Sequence, residues 1–224
     1  MIIVIEGTDC SGKATQSEML YQRMKEANYK VFKTSFPNYD SPTGKIVGGP
    51  YLGKEEISKG FFKETASNVD PEVASLYFAA DRKYNIKTIT DKLNEGYIVI
   101  LDRYVYSNMA HQAGKILNSD ERKHMYKWLH TLEFDLLKLP EADIKVLLHL
   151  PYEHSGELKS SRIAKLDEHE VNQEHLINAE KAYLELATFY NFNVISCIEE
   201  NKVKTKTQIS DELYILVTNI IKTT

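Results

Sequence analysis

Two short clusters carry the residues best suited to chemistry. The first is Gly7-Thr8-Asp9-Cys10-Ser11-Gly12-Lys13, which fits G-x-x-x-x-G-K between an apolar run and a helical pattern. Glycines let the backbone close around phosphate oxygens, amide groups at a helix start point inward, and the lysine reaches the outer phosphates. Gly7 to Lys13, with Ala14 and Thr15 behind them, are therefore the candidate residues for a nucleoside triphosphate. Ala14 stands where such loops usually place a hydroxyl on Mg²⁺. The ion must then be held by carboxylates, phosphates and water. Asp9 and Asp102 are the available acids. The second cluster is Asp102-Arg103-Tyr104, which ends the apolar run "YIVIL". Arginine grips phosphate bidentately and keeps its charge, which suits an acceptor phosphate.

The elements that must place these clusters follow from pattern. Ile2–Ile5 reads as a buried strand, and Ala14–Glu26 as a helix with Met19, Leu20 and Met24 on one side. "YKVFKTSF" is a second strand, followed by the loop "PNYDSPTG". Pro71 opens a helix to about Asn94, with Gly96 past its end. "YIVIL", "IKVLLHL" and "FNVISC" are three more strands. Helical segments run to about Leu139, through "NQEHLINAEKAYLELATFY", and over Gln208–Ile221. Continuously apolar strands alternating with helices imply a parallel sheet covered on both faces. Ligands bind beyond the carboxyl ends of such strands. Asp9, Phe36, Asp102 and the segment after Leu150 are thus expected on one edge.

Composition excludes several classes. The chain has 224 residues, 42% hydrophobic and 27% charged, which suits one α/β domain over 1–224. A net charge of −4 disfavours bulk binding to nucleic acid or anionic membrane. Cys10 and Cys197 are far apart and make no metal or disulfide framework. No window approaches the roughly 18 apolar residues of a membrane span. A soluble protein of a reducing compartment is expected. A regulatory GTPase is disfavoured, because the one "NK", Asn201-Lys202, is not followed by x-Asp, and the one D-x-x-G lies inside the loop.

The chain resembles the thymidylate (dTMP) kinases over nearly its whole length. The resemblance rests on "IEGTDCSGKATQ", "SFPNYDSPTG", "LYFAADR", "ILDRYVYSNMAHQ" and a lid-like piece before "AYLELA", in the family's order and at about its spacing. It implies a P-loop three-layer α/β sandwich, with a five-stranded parallel sheet, helices on both faces and a lid segment at about 152–170. It also implies transfer from ATP to dTMP with Mg²⁺, in a cytoplasmic homodimer. By the same resemblance, Phe78 stacks on thymine, Arg82 donates to a thymine carbonyl, and Asn108 reads the base edge. Phe36 and Tyr39 wall the acceptor site, Arg103 anchors its phosphate, and His111 and Gln112 stand near the sugar or base. Asp9 takes the acceptor sugar hydroxyl, the magnesium, or both. Glu170, or Glu174, is similar to the family's lid-side carboxylate near magnesium.

Four positions depart from the pattern: Ala14; Cys10, where some members carry an arginine in the loop; Asn38, where many have arginine; and His111, where tyrosine or phenylalanine is usual. With Cys10 in the loop, lid residues must supply the charge on the transferred phosphoryl. "SGELKSSRIAKLDEHE" offers Lys159, Arg162 and Lys165, of which Arg162 is the expected catalytic group. Two rivals share the scaffold: a kinase of another monophosphate or deoxynucleoside, and a nucleotide-binding regulator without turnover.

Overall fold

The computed structural model describes residues 1–8, 10–155 and 172–223. Its elements in chain order are β1 (Ile2–Gly7), α1 (Lys13–Glu26), β2 (Val31–Ser35), α2 (Pro42–Ile46), α3 (Pro71–Asn94) and β3 (Ile98–Asp102). Then come α4 (Val105–Ala113), α5 (Ser119–His130), β4 (Ile144–His149), α6 (Gln173–Phe189), β5 (Asn193–Ser196), a hairpin of β6 (Ile198–Glu199) and β7 (Lys202–Val203), and α7 (Lys206–Thr223). Asp9, Arg162, Glu170 and most of the stretch read as a lid lie outside the described residues.

The five longer strands form one parallel sheet in the order β2-β3-β1-β4-β5. β1 sits at its centre and all six of its residues are buried. Side chains alternate across a strand, so β1 feeds two cores. Ile3 and Ile5 pack with Leu20 and Met24 of α1 and with Ile209, Leu213 and Val217 of α7. Ile2 and Val4 face the other way, into a core with Ile89, Met109, Met125 and Leu186, drawn from α3, α4, α5 and α6. Each fully buried isoleucine contributes roughly 1.5–3 kcal/mol by leaving water.

Local chemistry fixes the helix ends. The Asp70 side chain accepts from the Glu72 and Val73 amides with Pro71 behind it, and Gly96 takes φ 79° after the C-cap Glu95. α4 differs: its N-cap residue, Tyr104, makes no side-chain cap. Two features lie beyond the sequence reading. The loop read over 37–44 runs into α2, and the residues beyond it, given no element from sequence, hold a π-helical turn (Val47–Tyr51) and a satellite core of Val47, Tyr51, Leu52, Ala66, Val69 and Ala74. Gly48, Gly49 and Pro50 mask it, since they read as breakers. The β6–β7 hairpin turns on Glu200 and Asn201, both at positive φ (46° and 63°), and its two-residue strands are too short to show a period.

Candidate active site

The loop after β1 closes tightly. A Cβ added at Gly7 would lie 2.5 Å from Ser11 Oγ and 2.6 Å from the Leu148 carbonyl, so only glycine fits there. Gly12 opens α1 at φ 82°, a left-handed conformation that side chains resist. The Thr8 hydroxyl donates to Leu150 O (2.8 Å) and accepts from Leu150 N (3.1 Å), stapling the loop to the end of β4. Lys13 is buried, and its Nζ donates to Gly7 O (2.9 Å) and Thr8 O (2.8 Å). The ammonium therefore sits inside the loop it must serve. Ser11 Oγ, packed beside Gly7, is buried with no hydrogen-bond partner among the described residues. Ala14 and Thr15 are exposed at the start of α1.

On the neighbouring strand end, Arg103 takes φ 68°, rare for a side chain of its size. Its Nη1 donates to Ser107 Oγ (3.3 Å) and the Tyr183 hydroxyl (3.4 Å), and lies 3.4 Å from His111 Nε2. Behind it the carboxylate of Glu6, fully buried, accepts from Tyr104 N (2.8 Å), Ser107 N (3.1 Å), Ser107 Oγ (2.5 Å) and Tyr183 OH (3.1 Å). Burial pushes the Glu6 carboxyl above its ordinary range, against the opposing pull of these bonds and of Arg103 and Lys13. His111 stacks on His175, with Nδ1 and Nε2 3.2 Å apart.

The remaining acceptor candidates fall into two groups. Phe36 and Tyr39 flank Pro37 on the cleft wall, where Lys54 Nζ lies 5.2 Å from the Tyr39 ring centroid. The buried Asp81 holds this loop by accepting from Asn38 N (2.8 Å), Ser41 Oγ (3.0 Å) and Thr43 Oγ1 (2.8 Å). Deeper, Arg82 is only 2% exposed and pairs in bidentate fashion with the fully buried Glu133, its Nη2 2.6 Å from Oε1. Asn108 Nδ2 donates to the same Oε1 (3.0 Å), so Arg82 and Asn108 share one carboxylate. Asn108 Oδ1 and both amide atoms of Gln112 are buried without a partner among the described residues. Phe78 packs edge-on against Tyr51 at 5.5 Å, at the margin of the satellite core.

One cleft of about 580 Å³ joins the two clusters. Its walls run from Cys10–Gln16 to Ser35–Pro37, Tyr39, Lys54, Asp102 and Arg103, and on the other side to Cys197, Val203, Lys204 and Lys206. Phe78, Arg82, Asn108, His111 and Gln112 are not among these walls. Magnesium in such sites uses one or two carboxylates with substrate phosphates and water, and Asp102, on the wall beside the loop, fits that need. Among the described residues no three His, Cys, Asp or Glu form a protein cage. Residues absent from the sequence reading are Glu6, Ser107, Glu133, His175 and Tyr183, each with a side-chain partner 25 or more positions away; only the unusual carboxylate in an apolar strand could have flagged Glu6.

Comparison with known proteins identifies the family. Residues 5–209 match the family model described as thymidylate kinase. A probable thymidylate kinase of Thermococcus kodakarensis is 33% identical over 204 residues, covering 89% of this chain and 91% of the relative. The thymidylate kinase of Mycobacterium tuberculosis is 34% identical over 72% of each chain. Among solved structures, thymidylate kinase from Candida albicans superposes with a TM-score of 0.70 at 27% identity, covering 97% of this chain and 91% of that one. That from Ehrlichia chaffeensis, at 21% identity and a TM-score of 0.66, covering 97% and 98%, shares the fold. The chain belongs to the thymidylate kinase family, and it is an enzyme, a dTMP kinase that moves a phosphoryl group from ATP to dTMP.

Proposed function

We propose that the cleft performs this transfer with the donor phosphates on the Gly7–Thr15 loop and the acceptor phosphate on Arg103. A phosphate oxygen of dTMP attacks the γ-phosphorus of ATP, the bond to the β–γ bridging oxygen breaks, and ADP leaves. Lys13 neutralises the outer phosphates from inside the loop, and Arg103 fixes the attacking phosphate in line. Phe36 and Tyr39 wall the acceptor. Arg82, Asn108 and Gln112 read the base, Phe78 stacks on it, and His111 sits by the sugar. Asp102, with Asp9 and Glu170, would hold Mg²⁺, which when bound neutralises charge on the β- and γ-phosphates. Arg162 is assigned the charge that offsets the transferred phosphoryl group. The single observation that carries this reading is the continuous cleft between Lys13 and Arg103.

A homodimer is part of the proposal. Val73, Leu76 and Tyr84 are 42%, 50% and 59% exposed on α3, at spacings that put them with the exposed Ala80 on one stripe. We infer a cytoplasmic setting from Cys10 and Cys197, which are thiols and not a disulfide pair. Among the described residues no helix is long and apolar enough to cross a membrane.

The test is ADP release with Mg-ATP against dTMP, dUMP, dCMP, dGMP and dAMP, with Lys13→Ala as the blank. Selective turnover of dTMP, abolished in the blank, is expected. Preference for another monophosphate would overturn the base-reading assignments, and equal turnover in the blank would overturn the role of the loop.

A further inference from the structure

Arg103 needs holding. Its backbone is left-handed at φ 68°, its side chain is long, and its task is to present one charge at one place. α4 also needs a cap, because Tyr104 provides none and the first amides of a helix have no partner within it. Glu6, on the neighbouring strand β1, meets both needs. Its Oε1 accepts from Tyr104 N and Ser107 N, replacing the missing cap with a negative charge at a helix N-terminus. Its Oε2 accepts from the hydroxyls of Ser107 (2.5 Å) and Tyr183 (3.1 Å), which also contact Arg103 Nη1 at 3.3 and 3.4 Å.

Counting protons makes this arrangement directional. Each hydroxyl has one proton to donate and lone pairs to accept with. The two hydroxyls also lie 2.9 Å apart, so one can donate to the other. While Glu6 is ionised, its charged Oε2 is the stronger acceptor for both protons, and when both point at it both oxygens offer lone pairs to the guanidinium. The two hydroxyls, one on α4 and one on α6, are thereby polarised into a pair of acceptors that locate Nη1. We propose that Glu6 is the positioning residue for Arg103, acting through Ser107 and Tyr183 to set the acceptor-phosphate anchor. The proposal rests on the assignment of Arg103 to the phosphate of dTMP. Lys13 and Arg103 are the cations near Glu6, and Tyr104 lies against it from α4.

Glu6→Gln discriminates between capping and positioning. If its carbonyl keeps the two backbone amides, its NH₂ faces the two hydroxyls. One hydroxyl can then donate to the other across their 2.9 Å contact, but the second proton has no carboxylate to meet and turns toward Arg103, donor against donor. The cap survives and the anchor is released. Steady-state kinetics of Glu6→Gln, Tyr183→Phe and Arg103→Ala are the experiment. The first two should raise the KM for dTMP, by about tenfold in Glu6→Gln and somewhat less in Tyr183→Phe, since hydrogen bonds to charged groups are worth that much. The KM for ATP should stay within about twofold, because the donor loop is untouched. An unchanged KM for dTMP in both variants, while Arg103→Ala raises it, overturns the positioning role alone. Equal rises for dTMP and ATP also overturn it, by marking general structural damage. An unchanged KM for dTMP in Arg103→Ala overturns the underlying phosphate assignment. Should Glu6→Gln fail to fold, Tyr183→Phe, which keeps the ring, decides by the same criteria.

Discussion

Replacing Glu133 by alanine isolates the interaction on which the proposed base-reading side of the site is built. Glu133 is fully buried and Arg82 is 2% exposed, so water cannot take over from the lost carboxylate. Breaking a buried pair by removing one partner costs about 3–5 kcal/mol, because the surviving charge stays buried and unpaired. Asn108 Nδ2 also loses its 3.0 Å acceptor, adding roughly 1 kcal/mol. For a chain of this size each kcal/mol moves Tm by about 2–4 °C, so Glu133→Ala should melt on the order of 10–20 °C lower. Removing both charges should behave differently. In Arg82→Leu/Glu133→Leu no lone ion remains, and most of the stability should return. If Arg82 also donates to the base, that stable double variant should still bind dTMP at least about tenfold more weakly. Thermal melts of both variants, with dTMP titrations of the double variant, supply the answer. A loss below about 1 kcal/mol in Glu133→Ala would refute the claim that the pair is sealed from solvent. Native dTMP affinity in the double variant would refute the base-reading role of Arg82 and leave the pair a purely structural one.

Gly7→Ala should cripple turnover and cost about 1–3 kcal/mol of stability, since its Cβ would strike Ser11 Oγ and the Leu148 carbonyl within 2.6 Å; urea midpoints and kcat measure both. The raised carboxyl of Glu6 predicts opposite pH trends in two assays. Its contribution to stability is present below the ordinary 4.5 and is lost as pH rises through the folded value, whereas kcat/KM for dTMP, which needs the ionised form facing Arg103, Lys13, Tyr104 and Tyr183, rises over that range. Taking each profile as wild type minus Glu6→Gln removes the other titrating groups, including the phosphate of dTMP. Two flat difference profiles would contradict the assignment. Leu76→Glu should convert the proposed homodimer to a monomer by placing charge in the exposed α3 stripe; light scattering across a concentration series reads this, and an unchanged mass would contradict the α3 interface.

What the sequence discloses here is mostly backbone geometry. Gly7, Gly12 and Lys13 fall between an apolar run and a helical pattern, and each is there for a conformational or short-range reason. Asp70, Pro71 and Gly96 bracket α3 in the same way. What stays hidden is charge compensation across the fold. Taken alone, Arg82 reads as a solvated helix charge, yet it is buried because Glu133 waits 51 positions later. His111 and His175 meet across 64 positions, and Glu6 meets Tyr183 across 177. No period or spacing encodes such pairs, because they arise only once the sheet and the helices packed on it have assembled.

That sheet order also explains why so few residues couple two binding sites. Alternation along β1 sends Ile5 toward α1 and α7, and sends Glu6 toward α4 and α6. One residue later, Gly7 starts the loop around the donor phosphates. Adjacent positions on the most buried strand thus govern the donor loop and the anchor proposed for the acceptor. A slip of one residue would turn Glu6 into the α1–α7 core and leave α4 uncapped. The register of β1, pinned by Ile5 opposite both Asp102 and Val146, therefore sets the spacing between Lys13 and Arg103. On this view the distance across which phosphoryl transfer takes place is a property of β1 and its two neighbours.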